Sequence, residues 1–104
     1  MTITYEDVVK AQQTQNKVIR KTNLEFSETF SKICGANVYL KNEYEQKTGS
    51  FKIRGAYYKI KSLTDDEKNK GVVAASAGNH SQGVAFASHI ENIPCTIVMP
   101  KNAS

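Results

Sequence analysis

The 104-residue sequence contains no apolar run long enough to span a membrane, and its opening "MTITYEDVVK" lacks the hydrophobic stretch of a secretory leader. A cytoplasmic protein with no membrane partner is therefore expected. Cysteine occurs only at Cys34 and Cys95, far apart and outside any metal-ligand spacing. Two buried, reduced thiols and no metal site are expected. Glycine and proline are too few for a low-complexity chain. The net charge is +4, but the basic residues are scattered among acidic ones, as in "EYEQK" and "TDDEKNK". With no basic cluster interleaved with aromatics, nucleic acid is not an expected partner. What is present, 39% hydrophobic and 23% charged residues, is an ordinary globular composition with room for one modest core.

Thr4 with Asp7 resembles a capping box and predicts a first helix from about Tyr5 to Thr14, with Val8 and Ala11 facing inward. "RKTNLEF" reads as a connector. Phe26, Phe30 and Ile33 stand at helical spacing, and Gly35 is placed to end that helix. "NVYLK" reads as a short strand. In "TGSFKIRGAYYKI", residues 48–60, the first three residues supply a turn with Ser50 as N-cap. Ile53, Ala56, Tyr57 and Ile60 then form the apolar stripe of a helix. Thr64 and Glu67 cap a short helix that Gly71 closes.

"VVAAS", residues 72–76, suits a buried parallel strand. "AGN" is a tight turn, and "HSQGVAFASHI" a helix with Gly83, Phe86, Ala87 and Ile90 on one face. "CTIVM" is a second buried strand. Strand, helix and strand make a right-handed βαβ unit, so the fold class is α/β. Two or three parallel strands make a poor sheet, so either a very small domain or a piece of a larger one is expected.

Two loop-to-helix junctions, "TGSFK" and "SAGNHSQG", are candidates for chemistry. Lys52 falls in a first helical turn, where the positive end of the backbone dipole disfavours an ammonium. The turn after strand 72–76 lies where open α/β sheets bind ligands, and helix N-terminal amides there attract anions. Ser76 adds a hydroxyl and Asn79 an amide. No Walker A pattern and no GxGxxG is present, so a nucleotide reading of this turn finds no support. Each feature also has an ordinary explanation: a solvated surface lysine, a plain turn, a hydrogen-bonded His80 and a surface His89. Spacing alone carries no more than an anion-binding α/β domain.

The two junctions together are more specific. "VYLKNEYEQKTGSFKIRGA", "GVVAASAGNHSQGVA" and "TIVMPKNA" resemble the corresponding segments of the threonine dehydratases, or threonine ammonia-lyases. These are fold-type-II pyridoxal-phosphate enzymes, related to serine dehydratases, serine racemases and the tryptophan synthase β chain. The resemblance implies an N-terminal fragment of that family's three-layer parallel-sheet fold, about a third of an enzyme. Residues 1–47 would be an N-terminal segment and residues 48–104 the start of a small α/β subdomain. The phosphate-binding glycine run would lie downstream, so the 104-residue chain alone is expected to be inactive.

The resemblance also implies roles. Lys52 would form the Schiff base with pyridoxal 5'-phosphate, a reaction that needs a neutral amine. Asn79 would bond the cofactor's ring hydroxyl, and Phe51 would pack beside it. Ser76, Ala77, Gly78, Asn79 and His80 would grip the substrate carboxylate. The implied reaction turns L-threonine into 2-oxobutanoate and ammonia, with L-serine as a second substrate. In racemases of the family a serine stands where this chain has Ala77, and Ala77 cannot carry a proton, which favours elimination. Serine racemase, serine dehydratase or a non-catalytic truncated chain are the alternatives. Tyr44 departs from the asparagine usual there. Lys47, Thr48 and Gln82 match an AMP site of the catabolic branch, against which stands a plain exposed loop. A homo-oligomer is expected at full length.

Overall fold

Helix α1 (Tyr5–Gln15) begins where Thr4 and Asp7 cap one another: the Thr4 hydroxyl accepts from the Asp7 N–H, and the Asp7 carboxylate accepts from the Thr4 N–H. The computed structural model describes residues 2–103. After α1 come strand β1 (Leu24–Phe26), helix α2 (Glu28–Cys34) and strand β2 (Tyr39–Lys41). β1 and β2 pair antiparallel, with Leu24 opposite Lys41 and Phe26 opposite Tyr39, whose rings meet edge to face at 5.5 Å. A 3₁₀ turn at Glu43–Glu45 leads to α3 (Lys52–Lys61) and α4 (Asp65–Lys70), and then to strand β3 (Val72–Ala75), α5 (Asn79–Ile90) and strand β4 (Cys95–Val98). β3 and β4 are parallel, with Val72 beside Cys95 and Ala75 beside Val98. This is the α/β class expected, built here as two small separate sheets.

The core lies between α3 and α5. Ile53, Ala56, Tyr57 and Ile60 bury the stripe foreseen for α3, and Val84, Ala87 and Ile93 meet it. The two helices run side by side in the same direction: Gly83, one turn into α5, abuts the start of α3, while Glu91, just past α5, bonds Tyr57 and Lys61 further along α3. Outside the core, Gln15 at the end of α1 donates its side-chain amide to the Arg54 carbonyl at 2.6 Å.

Several expectations need correction. Val8 is exposed: the one buried residue of α1 is Gln15, in its last turn. The end of "RKTNLEF" is a strand, and Phe26 belongs to it rather than to α2. Phe30 and Ile33 are exposed on α2, although Gly35 does end that helix in the left-handed conformation. Cys34 and Cys95 are both exposed rather than buried, since one closes a surface helix and the other opens a strand with an open outer face. β3 is not buried on both faces: Val73 is 73% exposed. On α5 the buried side includes Ser81, Val84 and Ser88 with Gly83 and Ala87, while Ile90 is exposed. Ser50 is not the N-cap of α3; Phe51 holds that position, and the Ser50 hydroxyl accepts from the Lys52 N–H across 3.4 Å.

Candidate functional site

The first turns of α3 and α5 lie together at one end of the helix pair. Because the helices are parallel, both positive dipole ends face the same side; the α5 start has no side-chain cap, whereas the Lys52 and Arg54 N–H groups of α3 are bonded to the Ser50 hydroxyl and the Phe51 carbonyl. The open amides at the start of α5 are the anion-attracting ones. That end is also where β3 delivers the chain into α5, at the carboxyl end of a parallel strand.

Lys52 opens α3. Its side chain is exposed, and the ammonium lies 5.2 Å from the centre of the neighbouring Phe51 ring, within cation–π range. Phe51 is itself 58% exposed, so the amine and the aromatic ring lie together at the surface. Behind the lysine the helix is held firmly. Ile53 is fully buried, and Arg54 makes two charge-assisted bonds to Glu43, at 2.7 and 2.8 Å. Thr22 donates to the same carboxylate at 2.6 Å. These partners, with Arg54 first, hold Glu43 well below the usual carboxylate range, at about 2.

The loop 76–78 is pinned by the backbone. The Ser76 N–H donates to the Val98 carbonyl at 3.0 Å, and the Gly78 N–H donates to the Ser76 hydroxyl at 3.3 Å. Ser76 thus shapes the turn as well as offering a hydroxyl. Gly78 caps α5 without a side-chain bond to the helix amides, and Ala77, Asn79 and His80 are exposed. The Ser81 hydroxyl donates back to the Gly78 carbonyl, which fixes the first turn. An exposed amine, an exposed aromatic ring and a loop of small residues leading into open helix amides suit a flat, anionic, aldehyde-bearing ring and a carboxylate. The residues present therefore fit pyridoxal phosphate.

Lys47 and Thr48 precede α3 in the same loop, with Lys47 exposed, Thr48 half-buried and its hydroxyl oxygen buried without a hydrogen-bond partner. Gln82 is exposed on α5 next to Gly83. Among the described residues no group of His, Cys, Asp and Glu could hold a metal ion, and no helix is long and apolar enough to cross a membrane. The sequence reading missed Gly83, counted there only as a member of an apolar face. An ideal Cβ at that position would sit 3.1 Å from the Lys52 carbonyl carbon and 3.1 Å from the Ile53 nitrogen. A glycine inside a helical pattern was the available signal.

Comparison with known proteins gives a consistent answer. Residues 16–104 match the family described as pyridoxal-phosphate dependent enzyme. The chain is 56% identical over 101 residues to the L-threonine ammonia-lyase of Thermotoga maritima, covering 97% of this chain and 25% of that protein. It is 48% identical over 101 residues to the catabolic L-threonine dehydratase TdcB of Escherichia coli K12, covering 97% of this chain and 31% of the relative. The crystal structure of serine racemase from Dictyostelium discoideum superposes with a TM-score of 0.91 at 40% identity, over all of this chain and 34% of that one. The chain thus spans a quarter to a third of the length of these proteins.

Proposed function

The chain belongs to the family of pyridoxal-phosphate dependent enzymes, and from that premise we propose that the whole protein is a threonine ammonia-lyase, converting L-threonine to 2-oxobutanoate and ammonia. The observation that supports the reading is Lys52 at the start of α3, its main chain against Gly83 one turn into α5, the helix that the 76–78 turn enters. Identities of 56% and 48% to proteins named for this reaction support the substrate.

In this proposal Lys52 holds the cofactor through its amine, Phe51 packs against the ring, and Asn79 donates to the ring hydroxyl. The amides from Gly78 to His80, with the Ser76 hydroxyl, bind the substrate carboxylate and so orient the α-carbon. Lys52, once released, removes the α-proton. Bound pyridoxal phosphate supplies the electron sink that makes this proton removable. The β-hydroxyl then leaves as water, taking up the proton held by Lys52, and the released enamine is hydrolysed to 2-oxobutanoate and ammonia. The site spans two backbones fixed to one another, which meets the need to hold reacting groups in register. Residues 1–47 and 48–104 are proposed as an N-terminal segment and the start of a small α/β subdomain, supported by the separation of the two sheets.

Serine racemase is the second reading, favoured by the superposition at a TM-score of 0.91. Against it stands Ala77, an exposed methyl in the loop that would face the substrate. Incubating the full-length protein with L-threonine and with L-serine separates the two. Formation of 2-oxobutanoate, and of pyruvate with little D-serine, supports the lyase. D-serine in amounts comparable to pyruvate overturns it.

A further inference from the structure

We infer that Gly83 is a positioning residue for Lys52, fixing the separation between the amine-bearing turn of α3 and the 76–80 loop through direct backbone contact. The inference rests on the reading of Lys52 given above. A methyl at position 83 would lie 3.1 Å from the Lys52 carbonyl carbon, 3.1 Å from the Ile53 nitrogen and 3.2 Å from the Lys52 carbonyl oxygen. All three are main-chain atoms, so no side chain can rotate aside to make room.

Nor can the first turn of α3 easily retreat. The Ile53 side chain is fully buried, and Ala87, on the same side of α5, is also at 0% exposure. Beyond the turn, Arg54 is tied to Glu43 through its guanidinium and to Gln15 through its carbonyl. The turn is held from both sides, and its position relative to α5 is set by the one residue without a side chain. Gly55 offers the contrast: it lies in the same helix as Lys52, and a methyl there meets nothing within 4 Å. Glycine is among the weakest helix formers, so a buried one in mid-helix needs a packing reason, and close approach supplies it. The loop 76–80 leads straight into α5, so the residues proposed to grip the carboxylate and the amine proposed to take the proton share one rigid link. A shift of a few tenths of an ångström at Gly83 moves one against the other.

The test uses the full-length protein with pyridoxal phosphate and compares Gly83→Ala with Gly55→Ala. Gly83→Ala should remain folded and still carry borohydride-fixed cofactor on Lys52 by peptide mass. The circular dichroism of its cofactor band should change, and kcat should fall about tenfold or more with KM altered less, as expected for a misaligned reacting group. Gly55→Ala should keep the parent's band and kcat. A folded Gly83→Ala with the parent's cofactor band and kcat overturns the inference. If Gly83→Ala is insoluble, the double variant Gly83→Ala/Ile53→Val, which trims the residue whose amide the new methyl meets, is measured against Ile53→Val in the same way. Parent-like values for that pair likewise overturn it. Label on a lysine other than Lys52 in the parent protein overturns the reading of Lys52 itself, before any variant is compared.

Discussion

Arg54 and Glu43 form a two-pronged ion pair, Nε to Oε2 at 2.8 Å and the second guanidinium nitrogen to Oε1 at 2.7 Å, two residues along α3 from Lys52. Glu43 is depressed from 4.5 to about 2, first by the Arg54 hydrogen bond. A carboxylate whose folded value is lowered contributes stability that is present above its unfolded value and is lost as pH falls. The window here is from about 4.5 down to about 2. The loss should be roughly 2 kcal/mol, discounted because Arg54 is partly open to solvent. Glu43→Gln should flatten the acid limb of a denaturation curve followed from pH 5 to 2. An unchanged limb would remove Glu43 from the account.

Gly71 closes α4 at φ 83, and a methyl there would sit 2.6 Å from the Pro94 carbonyl oxygen. Gly71→Ala meets both a left-handed backbone and main-chain overlap, and should cost about 2 kcal/mol or more. Chemical denaturation of the full-length protein measures it. A cost below about 0.5 kcal/mol, the range of an indifferent surface change, would contradict the geometry.

Lys52 is exposed and off the buried stripe, so its truncation should separate chemistry from folding. Lys52→Ala should reduce kcat by roughly 10³-fold or more while changing stability by no more than about 0.5 kcal/mol. Turnover within tenfold of the parent would mean another group takes the proton.

Ala77 lies exposed in the loop between β3 and α5. Giving it a hydroxyl places a proton-bearing group where the parent has a methyl. Ala77→Ser should therefore raise the ratio of D-serine to pyruvate formed from L-serine. Chiral chromatography of the products reads this ratio, and an identical ratio in parent and variant would show that residue 77 does not decide between the outcomes.

The Thr48 hydroxyl is buried without a partner beside exposed Lys47, and Gln82 is exposed next to Gly83. A phosphate-bearing adenine nucleotide is the proposed ligand of these three residues. AMP should lower the KM for threonine in the full-length protein, and Lys47→Ala should weaken that response severalfold by removing a charge-assisted contact. No response to AMP in the parent would end the proposal.

Local features were the legible ones. Both capping boxes, Thr4 with Asp7 and Thr64 with Glu67, and the stripe from Ile53 to Ile60 depend on residues three or four apart, and the structure contains them. Burial of Cys34, Cys95, Val8 and Ile33 was not legible, because exposure depends on which elements cover a face rather than on residue type. The two site junctions could be read as motifs. Their meeting could not, since the parallel run of α3 and α5 and the approach at Gly83 arise from packing between distant segments. The Glu43–Arg54 pair escaped for the same reason: its partners flank a loop whose path no spacing rule fixes.

The two small sheets carry a consequence for how the chain folds. β1 meets β2 across α2, and β3 meets β4 across α5, so each sheet closes within its own stretch of sequence. Such short closures are fast, and neither sheet has to wait for the other. The contacts that tie the halves together converge instead on α3, through Gln15 to the Arg54 carbonyl and Glu43 to the Arg54 guanidinium. Contacts made after the sheets close carry little weight in the transition state, so weakening Arg54 should chiefly quicken unfolding, whereas changes in β1 or β2 should slow refolding. The turn that bears Lys52 would be among the last parts of this stretch to reach its native position.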